Sequence, residues 1–172
     1  MRRVHVVLLS VMLLLVLVGC QNSYSAAIQV AKEYAKTQYE VEDYTNVTFP
    51  SSIQIKEREL SSLITDDFIP ASRRGTQSRV IELPLQVAQA EQSTISVEKV
   101  HLIPSSKDDI KNESNKFFRY DMTLVVTNGQ EESKNVHING VLTMQKVNNE
   151  WKVSYDWNRS EKDLVKLLTR PL

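Results

Sequence analysis

The chain has 172 residues, 41% of them hydrophobic and 24% charged, a balance that excludes a disordered polypeptide and suits about one folded unit. Lys and Arg number 21 and Asp and Glu number 21, so there is no excess of cations for phosphate binding and no nucleic-acid partner is expected. One Cys and four Gly exclude an intrachain disulfide framework, a cysteine-rich zinc site and a glycine-rich phosphate loop.

Arg2 and Arg3 precede an apolar run from Val6 to Val18 that only Ser10 interrupts. The run is shorter than the roughly 20 residues needed to cross a bilayer and has the layout of a secretory signal peptide. It ends in Leu17–Val18–Gly19–Cys20, followed at once by polar Gln21, Asn22 and Ser23. This tetrapeptide resembles the bacterial lipobox. The resemblance implies that residues 1–19 are removed, that the Cys20 sulfur carries a diacylglycerol, and that the mature chain is held on the extracytoplasmic face of the cell membrane. A Gram-positive surface and a periplasm fit it equally. Loss of Arg2 and Arg3 leaves the mature chain slightly acidic, with no pull toward anionic lipid. Acyl chains, at about 0.8 kcal/mol per buried CH₂, would then carry the attachment. Residues 20–25 read as a lipidated tether and residues 26–172 as a single domain.

Ala27 to about Tyr44 predicts an amphipathic helix, with Ala27, Val30, Ala31, Tyr34, Ala35 and Val41 on one stripe. Thr45–Ser52 reads as a loop containing Pro50. Lys56–Phe68 predicts a second helix with Leu60, Leu63, Ile64 and Phe68 on one face, stopped by Pro70. Ala71–Gln77 reads as a mobile surface loop, and Arg73, Arg74 and Arg79 form the densest basic patch. Val80–Ala90 fits a short helix with Pro84 in its first turn, or an edge strand; the helix is the better fit.

After Gln92 the apolar period changes to two. Ser93–Ile103 predicts a strand with a bulge near Lys99. Pro104–Asn115 reads as a charged turn region. Lys116–Thr127 alternates, with Phe118, Tyr120, Met122, Leu124 and Val126 on one face. Asn128–Gly129 marks a turn. Asn135–Val147 places Val136, Ile138, Gly140, Leu142 and Met144 on one face. After Asn148–Asn149, Trp151, Val153, Tyr155 and Trp157 alternate with Lys152, Ser154 and Asp156. Glu161–Thr169 predicts a terminal helix. The sum is a meander of long antiparallel strands with one greasy face, and helices with matching stripes to cover it.

Helices followed by such a meander, with Gly140, Leu142, Lys146, Asn149 and Trp151–Val153 in its last hairpin, resemble the NTF2-like (cystatin-like α+β) superfamily from about Ala26 to Trp157. The resemblance implies an α+β cone, helices packed on a curved antiparallel sheet, around a pocket that enzymes and non-enzymes share. It also implies that an Asp, His or Tyr inside the cone would be the proton-transfer group of an enzyme. Strand parity places Asp121, His137 and Asp156 on the solvent face. Tyr120 and His101 remain as the candidate pocket residues, with Tyr120 among apolar neighbours and His101 on a face the bulge decides. Neither His101 and His137 nor the pairs Asp66–Asp67 and Asp108–Asp109 have metal-ligand spacing, and no cofactor is expected. Phe117 and Val125 are expected on the outer face of the sheet. These features predict a binding or assembly module, lipid-anchored through Cys20, whose protein partner is an envelope component or a second copy. The alternative is a small-molecule enzyme or ligand carrier using the cone.

Overall fold

The structure, a computed structural model, describes residues 23–69, 80–159, 162 and 164–166. The signal-type run, the lipobox, Pro70, the loop 71–77 and Arg73, Arg74 and Arg79 lie outside them.

Helix α1 spans Ser23–Tyr39. Ala27, Ala31, Tyr34, Ala35 and Tyr39 on its stripe are buried, and the three alanines let the backbone lie close to the sheet. Ser23–Ser25, expected as part of a tether, are the first residues of this helix. The helix also stops five residues short of the expected Tyr44. Val41 is extended there and exchanges two backbone hydrogen bonds with Ile95, of 2.8 and 2.9 Å. A 3₁₀ turn, Tyr44–Asn46, follows, and the Asp43 carboxylate caps it by accepting from the Thr45 amide at 2.8 Å.

Helix α2 covers Ser51–Leu60, not the expected Lys56–Phe68. Beyond Leu60 the sheet edge wins over helix propensity. Ile64 forms a parallel bridge with Val153, in which the Val153 amide donates to Leu63 O and the Thr65 amide donates to Val153 O. Leu60, Leu63, Ile64 and Phe68 are all buried even so, because the apolar residues follow the core whichever backbone carries them. Helix α3, Glu82–Ala90, has Pro84 in its first turn, where a missing N–H costs least.

Four strands follow: β1 (Ser93–Pro104), β2 (Asn115–Asn128), β3 (Ser133–Val147) and β4 (Glu150–Asn158). They form one antiparallel sheet in the order β1-β2-β3-β4. Phe118, Tyr120, Met122, Leu124 and Val126 of β2 face inward with Val136, Ile138, Leu142 and Met144 of β3, and α1 lies across this buried face. The architecture is α+β, consistent with an NTF2-like fold. Asn148 and Asn149, at φ 50° and 70°, make the two-residue β3–β4 turn. The β2–β3 turn is longer than an Asn-Gly pair implies. The Asn128 side-chain oxygen accepts from the Gln130 and Glu132 amides, each at 3.0 Å, and the Asn128 backbone amide donates to Glu132 O.

Two bulges set which side chains enter the core. One lies between Val97 and Lys99, so Val100 and Leu102 turn inward and His101 and Ile103 outward. The other is in β4. Thr143 pairs with Tyr155 and Met144 with Val153, leaving Ser154 as the extra residue. The expected alternation through Trp157 is therefore corrected. Trp151 and Val153 are buried, but Tyr155 and Trp157 are 40% and 45% exposed, and Asp156 and Asn158 turn inside. Residues 162 and 164–166 are helical with Leu164 buried; the rest of the expected terminal helix lies outside the described residues.

A short helix, α4 (Lys107–Lys111), occupies part of the predicted turn region 104–115. A Ser106–Asp109 capping box starts it. Lys116 fixes its other end. This lysine is buried, and its Nζ donates to Ile110 O at 2.8 Å and to Asn112 O. It also lies over the rings of Tyr24 and Trp151, 6.0 and 5.5 Å from their centroids. Burial lowers its affinity for a proton. Lys116→Met keeps the stem but leaves two carbonyls without their charged donor, and is expected to cost about 2–3 kcal/mol in urea unfolding. Faster proteolysis within 105–115 should accompany that loss.

Candidate functional site

The inward turn of β4 brings Asp156 beneath α1. Its Oδ2 accepts from the Tyr34 hydroxyl at 3.0 Å and the Tyr39 hydroxyl at 3.4 Å, and its Oδ1 accepts from the Tyr120 hydroxyl at 3.0 Å. The Tyr39 and Tyr120 hydroxyls are 3.5 Å apart. Each element contributes for a local reason. Tyr34 and Tyr39 lie on the buried stripe of α1, Tyr120 on the inward parity of β2, and Asp156 at the first inward position after the bulge.

All four side chains are almost wholly shielded from solvent. Burial raises the Asp156 carboxyl from its ordinary value to about 6, and the three tyrosine hydrogen bonds pull against that rise. The three phenols stand well above their ordinary range, first through burial and then through the Asp156 charge. The arrangement can hold one carboxylate, or one proton, away from water. The cavity beside it measures about 10 Å³ and is walled by Ala31, Ala35, Leu102 and Met122.

Among the candidates read from the sequence, Tyr120 is in this cluster and His101 is not. The bulge at Val97–Lys99 puts His101 on the exposed outer face, opposite Asp121. Asp121 and His137 are exposed there too, and His137 Nδ1 lies 3.2 Å from the Thr123 hydroxyl. Asp156 is the reversal: strand parity assigns it to solvent, and it is 1% exposed. Tyr34 and Tyr39 escaped notice as ordinary core aromatics. The available signal was chemical, since three phenols on inward positions need an acceptor and few were near. Asp66 and Asp67 are exposed after α2, and Asp109 caps α4. Among the described residues, no group of three or more His, Cys, Asp or Glu is arranged to hold a metal.

A larger, open groove of about 360 Å³ lies between the end of α1, the 3₁₀ turn and α2. Its charges are mostly internally satisfied. Lys56 Nζ donates to Thr37 O and Glu40 O at 2.8 and 3.1 Å and pairs with Glu59 at 3.2 Å, while Asp43 is the cap described above.

No helix among the described residues is long and apolar enough to cross a membrane. No family model matches the chain, and no curated protein does. A solved structure described as a periplasmic fragment of TraM is similar over 82% of this chain and 98% of its own, at 14% identity and a TM-score of 0.45. The architecture is α+β; sequence similarity assigns the chain to no family.

Proposed function

We propose that this protein is an extracytoplasmic lipoprotein, anchored by lipid on Cys20, whose single domain is a binding or assembly module working through its surface. Residues 1–19 are the signal that is removed. The small space beside Asp156 among the described residues carries this reading. A cavity of about 10 Å³ is at the lower limit for one water, whereas small-molecule sites run to roughly 300–1,000 Å³. An enzyme or ligand carrier working in the cone would need α1 to lift from Asp156. The Leu17–Cys20 lipobox supports the anchor.

Mass spectrometry of the mature N-terminus tests the anchor. The expected species begins at Cys20 with a thioether-linked diacylglycerol, and Cys20→Ser releases the protein from membranes. An unmodified Cys20, or cleavage elsewhere, overturns it. Photo-crosslinkers at Thr123 and Asn135, on the outer sheet face, test the module. A discrete protein adduct in intact cells is expected. Tight binding of a small metabolite with no adduct would favour the carrier.

A further inference from the structure

Helix α1 rests on the sheet through little apolar area. Much of its inward stripe is Ala27, Ala31 and Ala35, and each alanine buries a single methyl group. The rings that complete the stripe, Tyr34 and Tyr39, turn their hydroxyls to Asp156 at 3.0 and 3.4 Å. Tyr120 donates to the same carboxylate at 3.0 Å, so one acid ties the helix to both β2 and β4. The ends of α1 are held differently. Tyr24, only half-buried, packs on Phe118 with centroids 5.7 Å apart, whereas the chain just past Tyr39 is clamped by the two Val41–Ile95 backbone hydrogen bonds.

Among the described residues no cation pairs with Asp156. The space it shares is lined by Ala31, Ala35, Val100, Leu102, Met122 and Leu142, from α1 and the first three strands, and only Tyr34, Tyr39 and Tyr120 of the other lining residues titrate. Asn158, the next inward residue of β4, is neutral, and Asp66 and Asp67, beside the Phe68 that packs on Tyr34, are exposed. At about 10 Å³ the space is at the lower limit for one water. An ionised Asp156 is therefore shut off from hydration, while a protonated one has no charge to hydrate. Water reaches the carboxylate when α1 moves off the sheet.

We propose that α1 is a pH-sensitive latch over the interior, shut while Asp156 holds its proton and opening more readily, with Val41 as pivot, once the proton is lost. Burial raises the carboxyl of the closed form from 3.8 to about 6, so the stabilisation is complete below the ordinary carboxylate value and is lost as pH rises through about 6. Between pH 4 and pH 7.5 the opening equilibrium then rises about 50-fold. The opened form bares Leu102, Met122 and Leu142. Neither lipid nor partner takes part, so the latch goes beyond the surface module proposed above, and its failure leaves that module untouched.

Hydrogen exchange on the intact protein tests the latch, read amide by amide from pH 4 to pH 7.5 with the intrinsic exchange rate divided out. Amides of residues 31–39 should be less protected than those of Leu124 and Ile138 in the sheet, because they open locally. Their protection should fall about 50-fold across the range and level off above about pH 6. In Asp156→Asn the fall should vanish. Tyr34→Phe keeps the ring beside Phe68 but removes one donor to the carboxylate, so its protection should level off at a higher pH than the wild type. Equal protection of α1 and the sheet at every pH means that the helix leaves only with the whole fold, and overturns the latch. So does wild-type protection of α1 that is the same at both ends of the range, or a fall of equal size in Asp156→Asn. If Asp156→Asn does not fold, an unmoved pH course in Tyr34→Phe overturns it.

Discussion

Asp156→Asn is expected to flatten the pH dependence of stability, with the wild type gaining about 2 kcal/mol relative to the variant between pH 7.5 and pH 4. The folded protein holds the Asp156 proton at about 6 against an ordinary value of 3.8. Protonation therefore favours the folded state. The contribution is fully present below the ordinary carboxylate value and is lost as pH rises through about 6. Paired urea titrations across that window isolate the group, because other carboxylates titrate alike in both proteins. Parallel curves would mean that Asp156 is not buried as described. Asp156→Ala is harsher: it leaves three phenol hydroxyls without their shared acceptor, and should cost about 3–5 kcal/mol at either pH.

Gly140→Ala should be comparably severe. Gly140 pairs with Tyr120 on one side and Asn158 on the other. A Cβ there would stand 2.2 Å from the Trp157 carbonyl oxygen and 2.5 Å from the Tyr120 ring and hydroxyl. The oxygen belongs to backbone, so relief means parting β4 from β3 or displacing Tyr120 from Asp156. A loss of about 3 kcal/mol or more is expected, read as a lowered urea midpoint. Ala at Gly129, whose Cβ would meet only the Tyr44 hydroxyl at 3.3 Å, serves as the mild control. Similar midpoints for the two variants would refute the crowding argument.

The strands were legible because their apolar residues alternate over ten or more positions, and only one register buries them. Helix limits were less so. Val41 and Ile64 fit a helical stripe as well as they fit the sheet edges that claim them, and only tertiary pairing decides. The β1 bulge showed itself through the phase change around Lys99. The β4 bulge did not, because Trp151, Val153, Tyr155 and Trp157 continue an unbroken alternation that the folded chain declines to use. That reversal placed Asp156 with the solvent residues and hid the candidate site. Inward aromatics at 155 and 157 would have to displace Tyr34, Tyr39 and Tyr120, and the space between α1 and the sheet holds one set of rings.

Val41 and Ile64 have a further effect on the sheet as a whole. Each lends hydrogen-bonding groups to an outside strand, Val41 beside the start of β1 and Ile64 beside the middle of β4. The remaining stretch of β1 carries a bulge and ends at Pro104, both poor templates for a foreign strand. Such capping leaves less of each outside strand open to a foreign strand, and it is supplied by two residues that belong to no strand.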